Sequence, residues 1–342
     1  CIRDSYPGDP VEALDLGRHA IALSRATGLW AALKIVADVA DATATVELHP
    51  ERIVPVLPGI DGAPYRHAAD GNLLTPRTLE VEREIVERRY RLARAYASAN
   101  RLNRVVVDPA AGWIGIVSSG ITYREVREAL GRLGLRSDAD IEACGIRLLK
   151  MGMPMPFDPE TVRAFARGLE QVFVIEEKRP NLESLIKDAL YDAAERPSIV
   201  GKADERGERL VPGHGALDAD ALVPILRQRL LPRLRDRIAP APPHREALPA
   251  LEVARTPFYC SGCPHNRSTQ APDGALVGAG IGCHTMALLM DEGRVGHIGG
   301  LCCMGNEGVQ WIGMSDFVDR DHFIQNLGDG TFFHSGQLAI QA

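Results

Sequence analysis

The regular alternation of short apolar runs with amphipathic helical segments between residues 113 and 195 limits the possible folds more than any other feature. Three runs, WIGIVSSG, IRLLKMG and QVFVIEE, have the composition of buried strands, and a segment of helical periodicity follows each of them. Strands separated by helices usually pair in parallel, with helices covering both faces of the sheet. The sequence therefore predicts an α/β protein with mostly parallel sheets.

Other local signals refine this prediction. Asp158 and Asn181 precede two of the helical segments and are expected to cap them. Glu176 ends the third strand, at the side of a sheet where α/β proteins bind ligands, although a solvated strand end is the commoner role. The run LWAALKIVADVA, residues 29–40, is also expected to form a strand.

Composition and charge exclude several classes of function. The 342 residues carry a formal net charge of -6, so the chain has no basic field for gripping nucleic acid. No apolar run approaches the roughly 20 residues that cross a bilayer. The first residues lack the basic and apolar segments of a signal peptide. We therefore expect a cytoplasmic protein without nucleic-acid or membrane partners.

Segments rich in turn-forming residues divide the chain. Residues 51–75 contain many prolines and glycines, and the proline-rich stretch at 238–250 is the clearest candidate for a domain boundary. The chain opens on Cys1 rather than methionine and closes inside a segment with the character of a helix. We therefore expect it to be an internal piece of a longer protein.

The cysteines are concentrated near the end of the chain. Five of the seven lie between residues 260 and 303, and this odd, clustered set does not resemble a secreted disulfide framework. Cys260 and Cys263 form a C-x-x-C sequence in which Gly262 allows a tight turn, and Cys283 follows. Spacing alone fits a zinc site and a four-thiolate iron–sulfur cluster equally well.

A second cysteine pair, Cys302 and Cys303, lies further along. For these two residues a buried structural role is favoured over metal binding.

A Gly-Asp-Gly sequence follows an apolar run close to the end of the chain. Gly328 and Gly330 allow backbone amides to approach a diphosphate, and a helix beginning there would favour its negative charge. Asp329 is suited to Mg²⁺, which prefers carboxylate and phosphate oxygens. Gly-Asp-Gly is also typical of an ordinary turn, so its meaning depends on the neighbouring motifs.

Four segments, in order, resemble the thiamine-diphosphate domain of the indolepyruvate ferredoxin oxidoreductase family, a long fused form of the 2-oxoacid:ferredoxin oxidoreductases. They are CSGCPHNRST, GIGCHT, MGNEGVQWIGM and GDGTFFHSG. The resemblance extends upstream. PGDPVEALDLGRHAIALSRATGLWAALK resembles the end of the family's pyrimidine-binding domain, and GIVSSGITYREVREAL, LLKMGMPMPFDPE and FVIEEKRPNLE resemble its transketolase-C-terminal-like domain.

The resemblance implies five segments along a multi-domain α/β chain. They are a truncated pyrimidine-binding-type domain at 1–50, a linker and helix at 51–103, a transketolase-C-terminal-like domain at 104–200, a linker region with a helix at 201–257, and a truncated thiamine-diphosphate-binding domain at 258–342.

The resemblance also implies an activity. Members of the family decarboxylate an aryl 2-oxoacid such as indolepyruvate oxidatively, using thiamine diphosphate and Mg²⁺, and form the acyl-CoA and CO2. Electrons pass through a [4Fe–4S] cluster to ferredoxin. The implied partners are the 2-oxoacid, coenzyme A, ferredoxin and a second copy of the chain. The family's catalytic glutamate would precede Cys1, so the segment alone is expected to be inactive.

Cofactor-binding residues follow by position from the resemblance. Asp329 matches the Mg²⁺-binding aspartate, and Gly328, Gly330 and Thr331 match the loop on the phosphate side. The family's second Mg²⁺ ligand, an asparagine, would lie past Ala342.

Cluster ligands follow in the same way. Cys260, Cys263 and Cys283 match three ligands of the [4Fe–4S] cluster, and Ile281 and Gly282 match backbone that packs against the thiazolium side of the cofactor. The fourth cluster cysteine is absent unless one of the adjacent pair of cysteines replaces it.

Two histidines and two alternative functions complete the interpretation. His284 and His334 are candidates for moving protons near neutral pH, although a plain hydrogen-bonding role is commoner. The first alternative is a thiamine-dependent decarboxylase without a working cluster. The second is a zinc-stabilised module without catalytic activity, in which the C-x-x-C thiols are structural ligands.

Overall fold

The computed structural model describes most of the chain, and the described residues form two compact units, 1–243 and 244–342. The described ranges are 5–49, 51–65, 67–71, 74–240 and 256–342. The expected boundary at 238–250 lies largely outside them, and the five-part division of the chain stays a prediction.

A five-stranded sheet of order β1-β3-β2-β4-β5 forms the centre of the first unit. Its strands are β1 (Asn103–Val107), β2 (Ile114–Ser119), β3 (Ile146–Met151), β4 (Gln171–Val174) and β5 (Ser198–Val200). The pairs β2–β3, β2–β4 and β4–β5 are parallel, whereas β1 pairs with β3 antiparallel. The predicted α/β class and the three predicted strands are confirmed, and the sheet is mixed because of β1.

Helices of the first unit surround this sheet and precede it. They are α1 (Pro10–Thr27), α2 (Ala37–Ala40), α3 (Arg77–Glu84), α4 (Tyr90–Ala99), α5 (Gly120–Arg132), α6 (Asp138–Ala143), α7 (Pro159–Ala166), α8 (Asn181–Leu190) and α9 (Ala219–Leu234). Asp158 caps α7 as predicted, since its carboxylate accepts the backbone N–H of Glu160.

Two local predictions are wrong. Asn181 does not cap α8, because the Glu176 carboxylate accepts the backbone N–H groups of Leu182 and Glu183, both at 2.9 Å. The run at 29–40 is not a strand. It contains the short helix α2. Among the described residues, its only β-sheet pairing is an isolated bridge between Leu33 and Ser5, because no strand lies beside it.

Both faces of the first sheet are buried. Ile116 of β2 and Phe173 of β4 pack with α5 and α9 on one face. Their sequence neighbours Val117 and Val174 pack with α7 and α8 on the other. Successive residues of a strand point to opposite faces, so strands covered on both sides are apolar throughout. This explains why the strands appear in the sequence as continuous apolar runs.

Truncation of a fully buried core residue should destabilise the first unit strongly. Phe173 is 0% exposed, and Phe173→Ala is expected to cost about 3–5 kcal/mol of unfolding free energy because it leaves a cavity between β4 and two helices. Tyr191→Ala is the matched control, since Tyr191 is 71% exposed. Chemical denaturation followed by circular dichroism measures the unfolding free energy of the two variants. Equal midpoints for the two variants would contradict the described core.

The second unit contains a three-stranded parallel sheet of order β7-β6-β8. Its strands are β6 (Leu276–Ala279), β7 (His297–Leu301) and β8 (Phe323–Gln325). Its helices are α10 (His265–Ser268), α11 (Glu292–Val295), α12 (Val309–Met314), α13 (Asp329–His334) and α14 (Gln337–Gln341). Because all three strands run the same way, their carboxyl ends meet at one edge, the side where α/β sheets bind ligands.

None of the helices in the described ranges has the length and apolar character needed to cross a membrane.

Candidate functional site

The carboxyl ends of β6 and β8 bring two of the predicted motifs together. The backbone N–H of Asn326 donates to the Gly278 carbonyl at 3.0 Å. A Cβ atom on Gly280 would lie 2.5 Å from the Asn326 carbonyl oxygen, and one on Gly328 would lie 3.8 Å from the Ile281 carbonyl oxygen. The segment after β6 and the segment after β8 are therefore neighbours along their backbones.

Glycine allows the segments after β6 and β8 to approach each other, and it leaves open space at this edge of the sheet. At Gly280 any side chain would collide with the backbone of the β8 segment. Gly282 has φ +100°, a conformation that side chains strongly disfavour, and nothing lies within 4 Å of a Cβ placed there or on Gly330. Gly282 and Gly330 are both exposed, so the space beside them is open to a ligand.

Asp329 is the first residue of α13, and its side chain is exposed at this edge. Thr331, two residues later, is buried. The helix has only six residues, under two turns, so its dipole adds less than the sequence suggests. An exposed carboxylate beside accessible glycine amides is a donor set that fits Mg²⁺ bound to a diphosphate.

The C-x-x-C sequence forms the expected tight turn. The backbone N–H of Cys263 donates to the Cys260 carbonyl at 3.1 Å, and Gly262 has φ +74°. The Cys263 Sγ atom lies 3.0 Å from Nδ1 of His265. Cys260 is exposed and Cys263 is half-buried.

Three rings connect this turn to the segment after β6. Tyr259 stacks on His265 with ring centroids 5.4 Å apart, and His265 meets His284 edge to face at 4.7 Å. Cys283 immediately precedes His284. The C-x-x-C turn and Cys283 thus lie on neighbouring segments of the second unit.

The predicted cluster ligands do not converge. Within the described ranges, no three His, Cys, Asp or Glu side chains come close enough to hold a metal ion. The thiols of Cys260, Cys263 and Cys283 therefore form no three-thiolate group among the described residues. Their assignment as cluster ligands stays a prediction.

Of the two candidate histidines, His284 is the more enclosed. Burial lowers the pKa of His284, and the neighbouring His265 lowers it further. Its Nδ1 atom is buried and has no hydrogen-bond partner in the part of the chain that the structure describes. His334 is the last residue of α13 and is exposed. A role in proton movement stays a prediction for both.

The expectation that Cys302 and Cys303 are buried is wrong. Cys303 is exposed and Cys302 is half-buried. β7 is an edge strand that ends at Leu301, so the chain leaves the sheet at this point and the two thiols follow at its carboxyl edge.

Sequence reasoning missed Glu307. Its side chain is 3% exposed, and its Oε2 atom accepts the backbone N–H of Gly305 at 2.6 Å. Its other oxygen, Oε1, is buried without a partner among the described residues. A glutamate between Asn306 and Gly308 has the pattern of a polar turn, so the sequence gives no signal of this burial.

The fold defines a class of protein, an α/β protein whose second unit has a parallel sheet with glycine segments after two of its strands. Comparison with known proteins shows which family this chain resembles. Residues 104–239 match the family model described as the indolepyruvate oxidoreductase domain.

Relatives extend the likeness over nearly the whole chain. The indolepyruvate oxidoreductase subunit IorA of Methanothermobacter marburgensis is 28% identical over 345 residues, covering 96% of this chain and 50% of that protein. The subunit of the same name from Thermococcus kodakarensis is 27% identical, covering 66% of this chain and 35% of that protein. The resemblance to the indolepyruvate ferredoxin oxidoreductase family is therefore confirmed. The chain spans about half the length of the first of these relatives.

Solved structures give a weaker likeness. A 2-oxoglutarate:ferredoxin oxidoreductase from Magnetococcus marinus is 14% identical with a TM-score of 0.41, covering 66% of this chain and 42% of that one. A likeness of this strength informs neither the fold nor the function.

Proposed function

We propose that the protein is a thiamine-dependent 2-oxoacid:ferredoxin oxidoreductase acting on aryl 2-oxoacids. The meeting of the glycine segment after β6 with the Gly-Asp-Gly segment after β8 is the observation that supports this most, because it creates an open, amide-rich edge beside a carboxylate. The names of the IorA relatives support the reaction and the aryl substrate.

The chain's own residues have distinct tasks in this proposal. Asp329 would hold Mg²⁺, and Gly328, Gly330 and Thr331 would hold the diphosphate. Ile281 and Gly282 would hold the thiazolium side of the cofactor. Thiamine diphosphate, when bound, supplies the electron sink that allows a 2-oxoacid to lose CO2.

An anaerobic assay of the full-length protein tests the reaction and the substrate class. Indolepyruvate is compared with pyruvate and 2-oxoglutarate, each with thiamine diphosphate, Mg²⁺, coenzyme A and a viologen dye in place of ferredoxin. We expect dye reduction that depends on coenzyme A and is fastest with indolepyruvate. CO2 release without dye reduction would favour the decarboxylase, and faster turnover of 2-oxoglutarate would contradict the aryl substrate.

The iron–sulfur cluster is a separate part of the proposal and rests on the resemblance of the three cysteine positions. Iron, zinc and acid-labile sulfide should be measured on the full-length protein purified without oxygen. We expect about four irons with matching sulfide for each cluster. Zinc without sulfide would return Cys260, Cys263 and Cys283 to a structural role and leave only the thiamine part of the proposal.

A further inference from the structure

Two cysteines, adjacent in the sequence, follow directly after the end of β7. Both Cys302 and Cys303 are free thiols. Partial burial raises the pKa of the Cys302 thiol, and a backbone hydrogen bond from Cys303 lowers it. The side chain of Cys303, which shares a hydrogen bond with Cys302, and the Glu307 carboxylate also raise this pKa.

Cys303 has different surroundings. It is exposed, and the side-chain Nδ2 of Asn306 donates to its Sγ atom at 3.4 Å. The backbone N–H of Asn306 also donates to the Cys303 carbonyl at 3.0 Å, which fixes the turn that carries this amide. The exposed position gives a reagent from solution access to the Cys303 sulfur. The pair thus has one accessible nucleophile and one neighbouring thiol.

We propose that Cys302 and Cys303 are a reversible redox pair that a small-molecule disulfide oxidises to an intrachain disulfide. The Cys303 thiolate attacks one sulfur of the small disulfide, forms a mixed disulfide and releases the first thiolate, which takes up a proton. The Cys302 sulfur then attacks the Cys303 sulfur, loses its proton and releases the second small thiol. Two protein thiols are oxidised, and one disulfide is reduced to two thiols.

The product should be easy to reduce again. A disulfide between adjacent residues closes a small, strained ring, and strained or exposed disulfides have the more oxidising potentials found in labile bonds. In the described part of the chain the pair belongs to no three-ligand metal group. The proposal does not depend on the function proposed above.

Peptide mapping of the full-length protein tests the pair directly, because trypsin separates the cysteines of this unit. Cleavage after Arg255, Arg267, Arg294 and Arg320 places Cys260 with Cys263, Cys283 alone, and Cys302 with Cys303 in three different peptides. The protein is treated with glutathione disulfide, its remaining thiols are alkylated, and the peptides are weighed by mass spectrometry. We expect the 295–320 peptide to lose two hydrogens and both alkylation sites, and to regain them after dithiothreitol.

Two variants check the order of events. Cys302→Ser should stop at the first step and retain one glutathionyl group on Cys303. Cys303→Ser should leave Cys302 largely unmodified, because the accessible nucleophile is gone. A wild-type 295–320 peptide that keeps two alkylated thiols, or that keeps glutathione without closing the ring, would overturn the proposal. Disulfide-linked copies joined through this peptide would overturn it as well.

Discussion

Asp329→Ala in the full-length protein is expected to weaken Mg²⁺-dependent binding of thiamine diphosphate by at least about 100-fold. Removing a group that only supports a metal ligand already lowers metal affinity by about 10–100-fold, and removing the proposed ligand itself should lower it more. The side chain is exposed at the sheet edge, so its removal leaves no cavity and the fold should persist. Isothermal calorimetry with thiamine diphosphate and Mg²⁺ measures the effect.

Asp321→Ala is the control for this variant. Asp321 is exposed and lies just before β8, at the opposite end of the same strand from Asp329. The Asp321→Ala substitution removes the same charge from the same unit but leaves the proposed site intact. The affinity of this variant for thiamine diphosphate should therefore match that of the wild type. Equal affinities for the two variants would refute the assignment of Asp329.

Gly280→Ala is expected to have the second largest effect. The new Cβ atom would lie 2.5 Å from the Asn326 carbonyl oxygen, so the segments after β6 and β8 must separate. Overpacking of this kind costs about 1–3 kcal/mol, and if the strain falls on the cofactor-binding arrangement the affinity for thiamine diphosphate drops by about 5- to 150-fold. The same calorimetric titration measures it.

Gly313→Ala is the matched substitution. Gly313 lies in α12, and nothing is within 4 Å of a Cβ atom placed there. Alanine also favours the helix over glycine, by up to about 1 kcal/mol. Thermal unfolding should therefore be unchanged or slightly higher, with wild-type affinity. If Gly280→Ala behaves the same way, the two segments are not packed as described.

The sequence predicted well the features that depend on burial over several residues. The three strands of the first unit are continuous apolar runs because helices cover both faces of their sheet, so their signal is strong and local. The α/β class followed from these signals. The glycine segments were singled out on other grounds, the Gly-Asp-Gly sequence and the family resemblance, and the close backbone approach at Gly280 is seen only in the folded chain. The assignment of the site residues stays a prediction.

Features that depend on a distant partner were not predictable. The Glu176 carboxylate takes the place of Asn181 at the start of α8, and only the folded chain places it there. Residues 29–40 have strand-like composition, yet a strand needs a neighbour to pair with. Burial of Glu307 and exposure of Cys303 likewise depend on how β7 ends at the sheet edge.

The most direct test of the central claim is a cryo-EM structure of the full-length protein prepared with thiamine diphosphate and Mg²⁺. We predict density for the diphosphate at the loop at 328–331, with the metal bound to the Asp329 carboxylate, and for the thiazolium ring beside the backbone of Ile281 and Gly282. A diphosphate bound elsewhere in the protein, or a metal bound without Asp329, would contradict the account.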